Sequence, residues 1–355
     1  MTRAGRLPLF LTPAVLKSSP RWMADAVATR GTLSEAAMNT GHWLGVDLGG
    51  TKVLVGLFDD QLKLLARNKQ PTGAESGPAS VIGRVAQAVD AVVREANIDP
   101  ATIRGMGFAI PGQIVPGEPV VRFAPNLEWS NVNVKELLPA AWTWPVVLEN
   151  DVRMGTYGEF TAGAAKGARH VFGIFVGTGV GGGFILNGEL FAGFNGHAGE
   201  IGHTVVDWRK GTSLESVAGR KYQMRRAKEI LDDAPKRFRK AWKGIDLDKV
   251  KSSQLADLFE KDDPVALAVV DDAARAVGAA VAGVVNLLSP EVVVIGGGVA
   301  QAVGEPFIER VWEIAQRYTL PGATADVRCV PAALGDDSGI VGAAGFARAK
   351  VGASA

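Results

Sequence analysis

The chain has 355 residues, enough for two domains of ordinary size, and its 38 basic and 37 acidic residues leave a net charge of +1. Neither nucleic acid nor an anionic membrane is therefore expected as a main partner. A single cysteine, Cys329, excludes an intrachain disulfide framework and a cysteine-built metal cluster, and fits a cytoplasmic protein.

Residues 1–40 carry five basic and two acidic residues, three prolines and the apolar patch LPLFLTPAVL. Met23-Ala-Asp-Ala26 imitates a signal cleavage site, but two prolines interrupt the apolar core that a signal peptide needs. The segment is read as a disordered extension outside the catalytic fold, or as an upstream start with Met38 the functional one.

GVDLGGTK, residues 45–52, runs from an apolar strand into a glycine turn, and VLVGLFDDQLKLLA continues as a hairpin turning at Asp59-Asp60. A Walker loop would close on Lys before Ser or Thr and would lead into a helix, and this stretch does neither. An unpaired carboxylate in an apolar strand is costly, so Asp47 is expected at a ligand, where it suits a magnesium ion held through water beside nucleotide phosphates.

Val81, Val85, Val89 and Val92 recur at helical spacing, and IRGMGFAIPG and WPVVLEN read as buried strands. VVLENDVRMG sets Asn150-Asp151 where a strand gives way to a helix, the end at which open α/β sheets bind ligands. Asp151 either caps that helix or serves as a carboxylate that accepts a proton from a substrate hydroxyl.

LGVDLGGTKVLVGLFDDQL (44–62) then overlays FGIFVGTGVGGGFILNGEL (172–190) without a gap, with Gly45 on Gly173, Gly49 on Gly177 and Asp59-Asp60 on Asn187-Gly188. The second copy satisfies GxGxxG, but a dinucleotide fingerprint requires a helix after the turn, and FILNGELF is strand-like. Thr51 and Thr178 add hydroxyls at the two turns, where plain solvated turn residues are equally at home. In GFNGHAGEIGH, His197, Glu200 and His203 stand three apart among glycines, a spacing that suits paired hydrogen bonds to a polyol better than HExxH zinc chemistry. A helix around 214–231, a long one opened by Asp263-Pro264, the strand EVVVIGGG, a helix from about Glu305, the strand DVRCVPA and a last helix from about Asp336 complete the chain.

Each half is thus a three-strand meander followed by alternating helices and strands. The fold class is α/β, two duplicated domains with a cleft between them. Their boundaries are 41–150, rejoined by the C-terminal helix 336–355, and 151–335. Two glycine turns facing across the cleft offer backbone N–H groups to phosphate oxygens from both sides.

GVDLGGTK, AIPG (109–112), LEND (148–151), VGTGVGGG (176–183), GHAGEIGH (196–203) and VVIGGG (293–298), in this order, resemble the ROK family of sugar kinases and sugar-responsive repressors, within the actin-like (ribonuclease H-like) ATPase superfamily. The resemblance implies ATP-dependent phosphorylation of a hexose with Mg²⁺, glucose to glucose 6-phosphate first, with N-acetylmannosamine, fructose or another hexose as alternatives. Asp151 resembles the base, and Asn150, Glu200, His203, Glu215 and Asn126 the sugar ligands. Asp47, Gly49, Gly50, Thr51 and Lys52, with Gly177, Thr178 and Gly179, correspond to the phosphate segments, and Gly296 and Gly297 to the adenosine side. A homodimer is an expected assembly. A regulator would carry a winged helix-turn-helix before residue 41, for which the prolines Pro8, Pro13 and Pro20 leave little room.

One departure stands out. Many ROK proteins follow GEIGH with a cysteine-rich zinc loop, whereas HTVVDWRKGTSLES has no cysteine. No zinc site is expected, and Glu215 has to be held by backbone hydrogen bonds and packing, with Trp208 a candidate to cover it.

Overall fold

The computed structural model describes residues 41–352, so the expectations for residues 1–40 lie outside the described residues. Strands β1 (His42–Leu48), β2 (Lys52–Phe58), β3 (Leu64–Pro71), β4 (Ile103–Ile110) and β8 (Val146–Asn150) form one sheet in the order β3-β2-β1-β4-β8. Strands β9 (Val171–Val176), β10 (Val180–Leu186), β11 (Glu189–Leu190), β14 (Val292–Gly296) and β15 (Arg328–Pro331) repeat that order as β11-β10-β9-β14-β15. In both sheets the first strand is antiparallel to the second and parallel to the fourth. The alignment of the two halves seen in the sequence is therefore an alignment of two sheets.

It fails at one point. Asn187 and Gly188 have φ of 56° and 84° and close a two-residue hairpin, the conformation Asn-Gly favours. The equivalent Asp59-Asp60 starts a longer loop. Asp59 Oδ1 accepts from the N–H groups of Gln61 and Lys63, both at 2.9 Å, and Leu62 turns left-handed at φ 60° with its side chain buried. Asp59 organises this wider turn because its short carboxylate imitates a backbone acceptor.

Helix α1 (Pro78–Ala96) covers the first sheet with Val81, Val85, Val89 and Val92 fully buried. Helix α2 (Asp151–Ala162) follows β8 directly. Two short helices, Glu215–Ala218 and α3 (Arg220–Asp233), break at Gly219, and α4 (Ser252–Phe259) precedes the long α5 (Pro264–Leu288). Asp263 caps α5 by accepting from Val265 and Ala266 N–H, both at 3.0 Å. Helix α6 (Gly298–Val303), α7 (Glu305–Tyr318) and α8 (Ser338–Gly352) complete the chain.

Helices α2 and α8 lie between the two sheets and cross where both are glycine. A Cβ on Gly342 would collide with the Met154 carbonyl, and one on Gly158 with the Ser338 carbonyl. The same close approach explains two glycines in the strands, since Gly45 admits the backbone of α8 and Gly173 the Thr156 side chain of α2. The C-terminal helix thus packs on β1 and β4 of the first sheet. A small sheet of β5 (Gln113–Ile114), β6 (Val120–Ala124) and β7 (Trp129–Asn133), which the sequence pattern did not predict, extends from the end of β4. Among the described residues no helix is long and apolar enough to cross a membrane.

Candidate active site

The parallel strands β4, β8, β9 and β14 end around a cavity of about 400 Å³, at the carboxyl ends where α/β sheets bind ligands, whereas Asp47, Gly49, Gly50, Thr51 and Lys52 at the end of β1 are not among its lining residues. Gly112, Asn126, Asn150 and Asp151 line it together with Gly177, Thr178, Gly179, Glu200, His203, Glu215 and Gly297. Residues chosen from five separate motifs are therefore brought together in one space.

Asn150, not Asp151, caps α2. Its Oδ1 accepts from the N–H groups of Val152 at 3.0 Å and Arg153 at 3.2 Å, and its Nδ2 donates to the Gly112 carbonyl at 3.3 Å. Asp151 is the first helical residue, and its Oδ1 accepts from Val152 N–H at 2.9 Å. Among the described residues no side chain hydrogen-bonds or ion-pairs with Asp151. Burial raises its pKa, backbone N–H groups oppose that rise, and the Glu200 carboxylate adds to it.

Asp47 sits at the end of β1, beside the N-terminus of α8 at Gly339. Burial, then the Asp151 charge, push it up to about 7 against the pull of Lys52, with Asp336 raising it further. Lys52 Nζ donates to Asp336 Oδ2 at 3.0 Å, which holds Asp336 below the ordinary carboxylate range. The first glycine turn is fixed by Gly49 N–H to the Lys52 carbonyl at 2.9 Å and by the Thr72 hydroxyl to the Gly49 carbonyl at 2.6 Å. Gly50 lies against the backbone of Asn126, which reaches the cavity on the β6–β7 connection. Thr51 is exposed, and its carbonyl accepts from Thr72 N–H at 3.0 Å.

In the second turn Gly177 N–H donates to the Gly179 carbonyl at 2.9 Å. Glu215 is fastened to this turn, with Oε2 accepting from Val180 N–H at 2.9 Å and packed against Gly179. Strands β12 (Val205–Asp207) and β13 (Thr212–Ser213) close the shortened segment as a hairpin, and Leu214 N–H donates to the Thr204 carbonyl at 2.8 Å. Trp208 does not cover Glu215: it is 81% exposed, with the Arg209 guanidinium 5.3 Å from its ring centre. The hairpin points its tip to solvent, so the indole stays outside. Glu200 and His203 flank a short turn with Oε2 and Nε2 3.9 Å apart. Among the described residues no group of three or more His, Cys, Asp or Glu is placed to hold a metal ion. Gly296 is buried in β14 against Phe175 and Ala332, so Gly297 alone of that pair reaches the cavity.

Three residues at the site are not among the candidates read from the sequence. Arg153 is 2% exposed, pairs with Glu149 at 2.7 Å, and donates through Nη1 to the Gly196 carbonyl at 2.8 Å and the Ala198 carbonyl at 3.4 Å. It therefore ties the loop that delivers Glu200 to the β8–α2 junction that delivers Asp151. Glu149 is the buried partner, its pKa raised by burial against the pull of Arg153. Arg220 donates to the hydroxyl of Thr178 at 3.0 Å. Charged residues inside or beside an apolar element were the available signal for the first two; nothing local marks Arg220.

Two copies of one five-strand sheet, with glycine turns and a half-buried carboxylate at their shared cleft, define the actin-like fold of sugar kinases and their relatives. Residues 43–350 match the ROK family, and the chain belongs to it. It is 31% identical over 316 residues to a glucokinase of Halalkalibacterium halodurans, covering 86% of this chain and 94% of that one. It is 32% identical over 320 residues to a glucokinase of Thermotoga maritima, covering 87% and 98%. A ROK family glucokinase from Streptomyces griseus, solved with glucose and AMPPNP, superposes with a TM-score of 0.74 at 28% identity, covering 87% of this chain and 100% of that one.

Proposed function

We propose that this protein is an ATP-dependent hexose kinase of the glucokinase type, which converts glucose to glucose 6-phosphate. The observation that carries the proposal is the placing of Asp151, a half-buried carboxylate with raised proton affinity, in one cavity with Asn150, Glu200, His203, Glu215 and the glycine turn 177–179. Identity of about 30% to glucokinases over nearly their whole length supports glucose as the acceptor.

Asp151 accepts the proton of the sugar hydroxyl as that oxygen attacks the γ-phosphorus. The bond from the γ-phosphorus to the bridging oxygen breaks, and its electron pair leaves with ADP. A carboxylate whose pKa is raised toward the working pH is better matched to this transfer than an ordinary aspartate. Asn150, Glu200, His203 and Glu215 supply the donors and acceptors that orient the sugar, and Arg153 holds the Glu200 loop in place. The backbone N–H groups of both glycine turns cradle the nucleotide phosphates.

The site also fits Mg²⁺. The Asp151 charge raises the cost of ionising Asp47 and the Glu200 charge that of ionising Asp151, so these carboxylates crowd negative charge together, and oxygen donors are what that ion binds. Asp47 would hold it through water. When bound, the ion neutralises charge on the donor phosphates. ATP as donor and the single, half-buried thiol of Cys329, pushed up to about 12 by burial, fit a cytoplasmic enzyme.

A coupled assay of ADP release with MgATP across glucose, mannose, fructose, N-acetylglucosamine and N-acetylmannosamine tests the proposal. Glucose is expected to give the highest kcat/KM, with no turnover when magnesium is withheld. Absence of hexose-dependent ADP release would overturn it, and a preference for N-acetylmannosamine would reassign the acceptor.

A further inference from the structure

We infer that Arg220 is a ligand of the donor phosphates that offsets the charge gathering on the departing diphosphate; this rests on the kinase proposal above. Its backbone N–H donates to the Gly177 carbonyl at 2.9 Å, so the start of α3 is fastened to the second glycine turn. Its guanidinium donates through Nη2 to the Thr178 hydroxyl at 3.0 Å and through Nη1 to the Ser252 hydroxyl at 3.4 Å. Ser252 in turn lies against Gly298, next to the cavity-lining Gly297. The guanidinium thus links the glycine turn 177–179 to the start of α4, beside the Gly297-Gly298 segment.

Among the described residues no carboxylate pairs with Arg220, whereas Arg226 on the same helix has Glu229 at 3.3 Å and Asp272 at 3.4 Å. A guanidinium presents five N–H donors in a planar fork that matches phosphate oxygens, and hydroxyls occupy only part of that set here. The first turn of α3 also holds no acidic residue, so Arg220 and Lys221 face the positive end of their own helix without compensation. An anion held at Thr178 would relieve both conditions.

The chemistry gives the cation its use. When the bond from the γ-phosphorus to the bridging oxygen breaks, the electron pair settles on the β-phosphate, and charge grows on the diphosphate side. A fixed cation there binds the transition state and ADP more strongly than it binds ATP.

Steady-state kinetics of Arg220→Ala and Arg220→Lys with glucose and MgATP test this. In Arg220→Ala, kcat/KM for MgATP is expected to fall roughly 10² to 10³-fold, with weaker inhibition by MgADP. The glucose KM and melting temperature should stay near wild type. Guanidinium ion at low millimolar concentration should restore part of the Arg220→Ala activity and none in wild type, and Arg220→Lys should fall between the two. The inference fails if Arg220→Ala stays within about threefold of wild type. It fails equally if the loss resists guanidinium and comes with a raised glucose KM or a lowered melting temperature. If wild type releases no ADP with any hexose, the kinase proposal falls instead, and calorimetric titration of MgADP into wild type and Arg220→Ala still decides whether Arg220 touches the diphosphate.

Discussion

At the scale of single residues the cleft concentrates carboxylates that the free protein holds at a cost. Asp151→Asn removes the proton acceptor while keeping its shape, so kcat should fall roughly 10² to 10⁴-fold with a much smaller change in glucose affinity. Turnover above about a tenth of wild type would exclude Asp151 as the base. Asp47 predicts the opposite for stability. Its folded pKa of about 7 stands above its ordinary value of 3.8, so the folded protein holds the proton more tightly than the unfolded chain. Stability is therefore greatest below pH 4 for this group and declines as pH rises from about 4 to 7. Asp47→Asn removes that decline. In the nucleotide-free protein it should leave stability unchanged near pH 4 and raise it progressively up to pH 7, by on the order of 1–4 kcal/mol and seen as a rising melting temperature, while abolishing activity with MgATP. An unchanged melting temperature at pH 8 would show that the Asp47 carboxylate ionises without penalty.

At the scale of elements, the segment 204–214 is a hairpin, at the place where the family resemblance leads one to expect a cysteine-rich zinc loop. The Leu214 to Thr204 hydrogen bond and the Ser216 hydroxyl to the Ser213 carbonyl at 2.7 Å set the start of the Glu215 helix without a thiolate. Activity should survive a zinc-selective chelator, and elemental analysis should find far less than one zinc per chain. Stoichiometric zinc whose removal abolishes activity, with recovery on adding it back, would make His203 part of a metal site. Which elements were readable follows from where their signals lie. The valine- and isoleucine-rich strands and the Asp263-Pro264 cap speak through local pattern, and the two sheets through their overlay. Strands β6 and β7 do not, because Arg122, Phe123, Ser130 and Asn131 are exposed in succession and Asn131 turns left-handed at φ 51°, which breaks the alternation of a half-buried strand. Of the site, the glycine turns and Asp151 announce themselves by position at strand ends. Arg220 to Ser252 and Arg153 to Gly196 are contacts across 32 and 43 residues, which no local spacing encodes.

At the scale of the whole molecule, the cavity is built from both sheets while the packing between them is concentrated in the crossing of α2 and α8. Gly112, Asn126 and Asn150 belong to segments leaving the first sheet; Gly177 to Gly179, Glu200, Glu215 and Gly297 belong to the second. The glycines at the crossing let two helix backbones touch, a smooth contact that tolerates a small rotation better than interlocked large side chains do. Glucose and a non-hydrolysable ATP analogue together should therefore draw the halves closer. The radius of gyration in small-angle scattering should fall, and the backbone amides of 49–52 and 177–179 should exchange more slowly than in the free protein. Sugar alone should produce part of the compaction, since Asn150 ends a strand of the first sheet and Glu200 follows the second, and slow exchange at 177–179 should need the nucleotide. Scattering and exchange that do not change at saturation would mean that the cleft is preformed, and the rate of product release would then not depend on reopening.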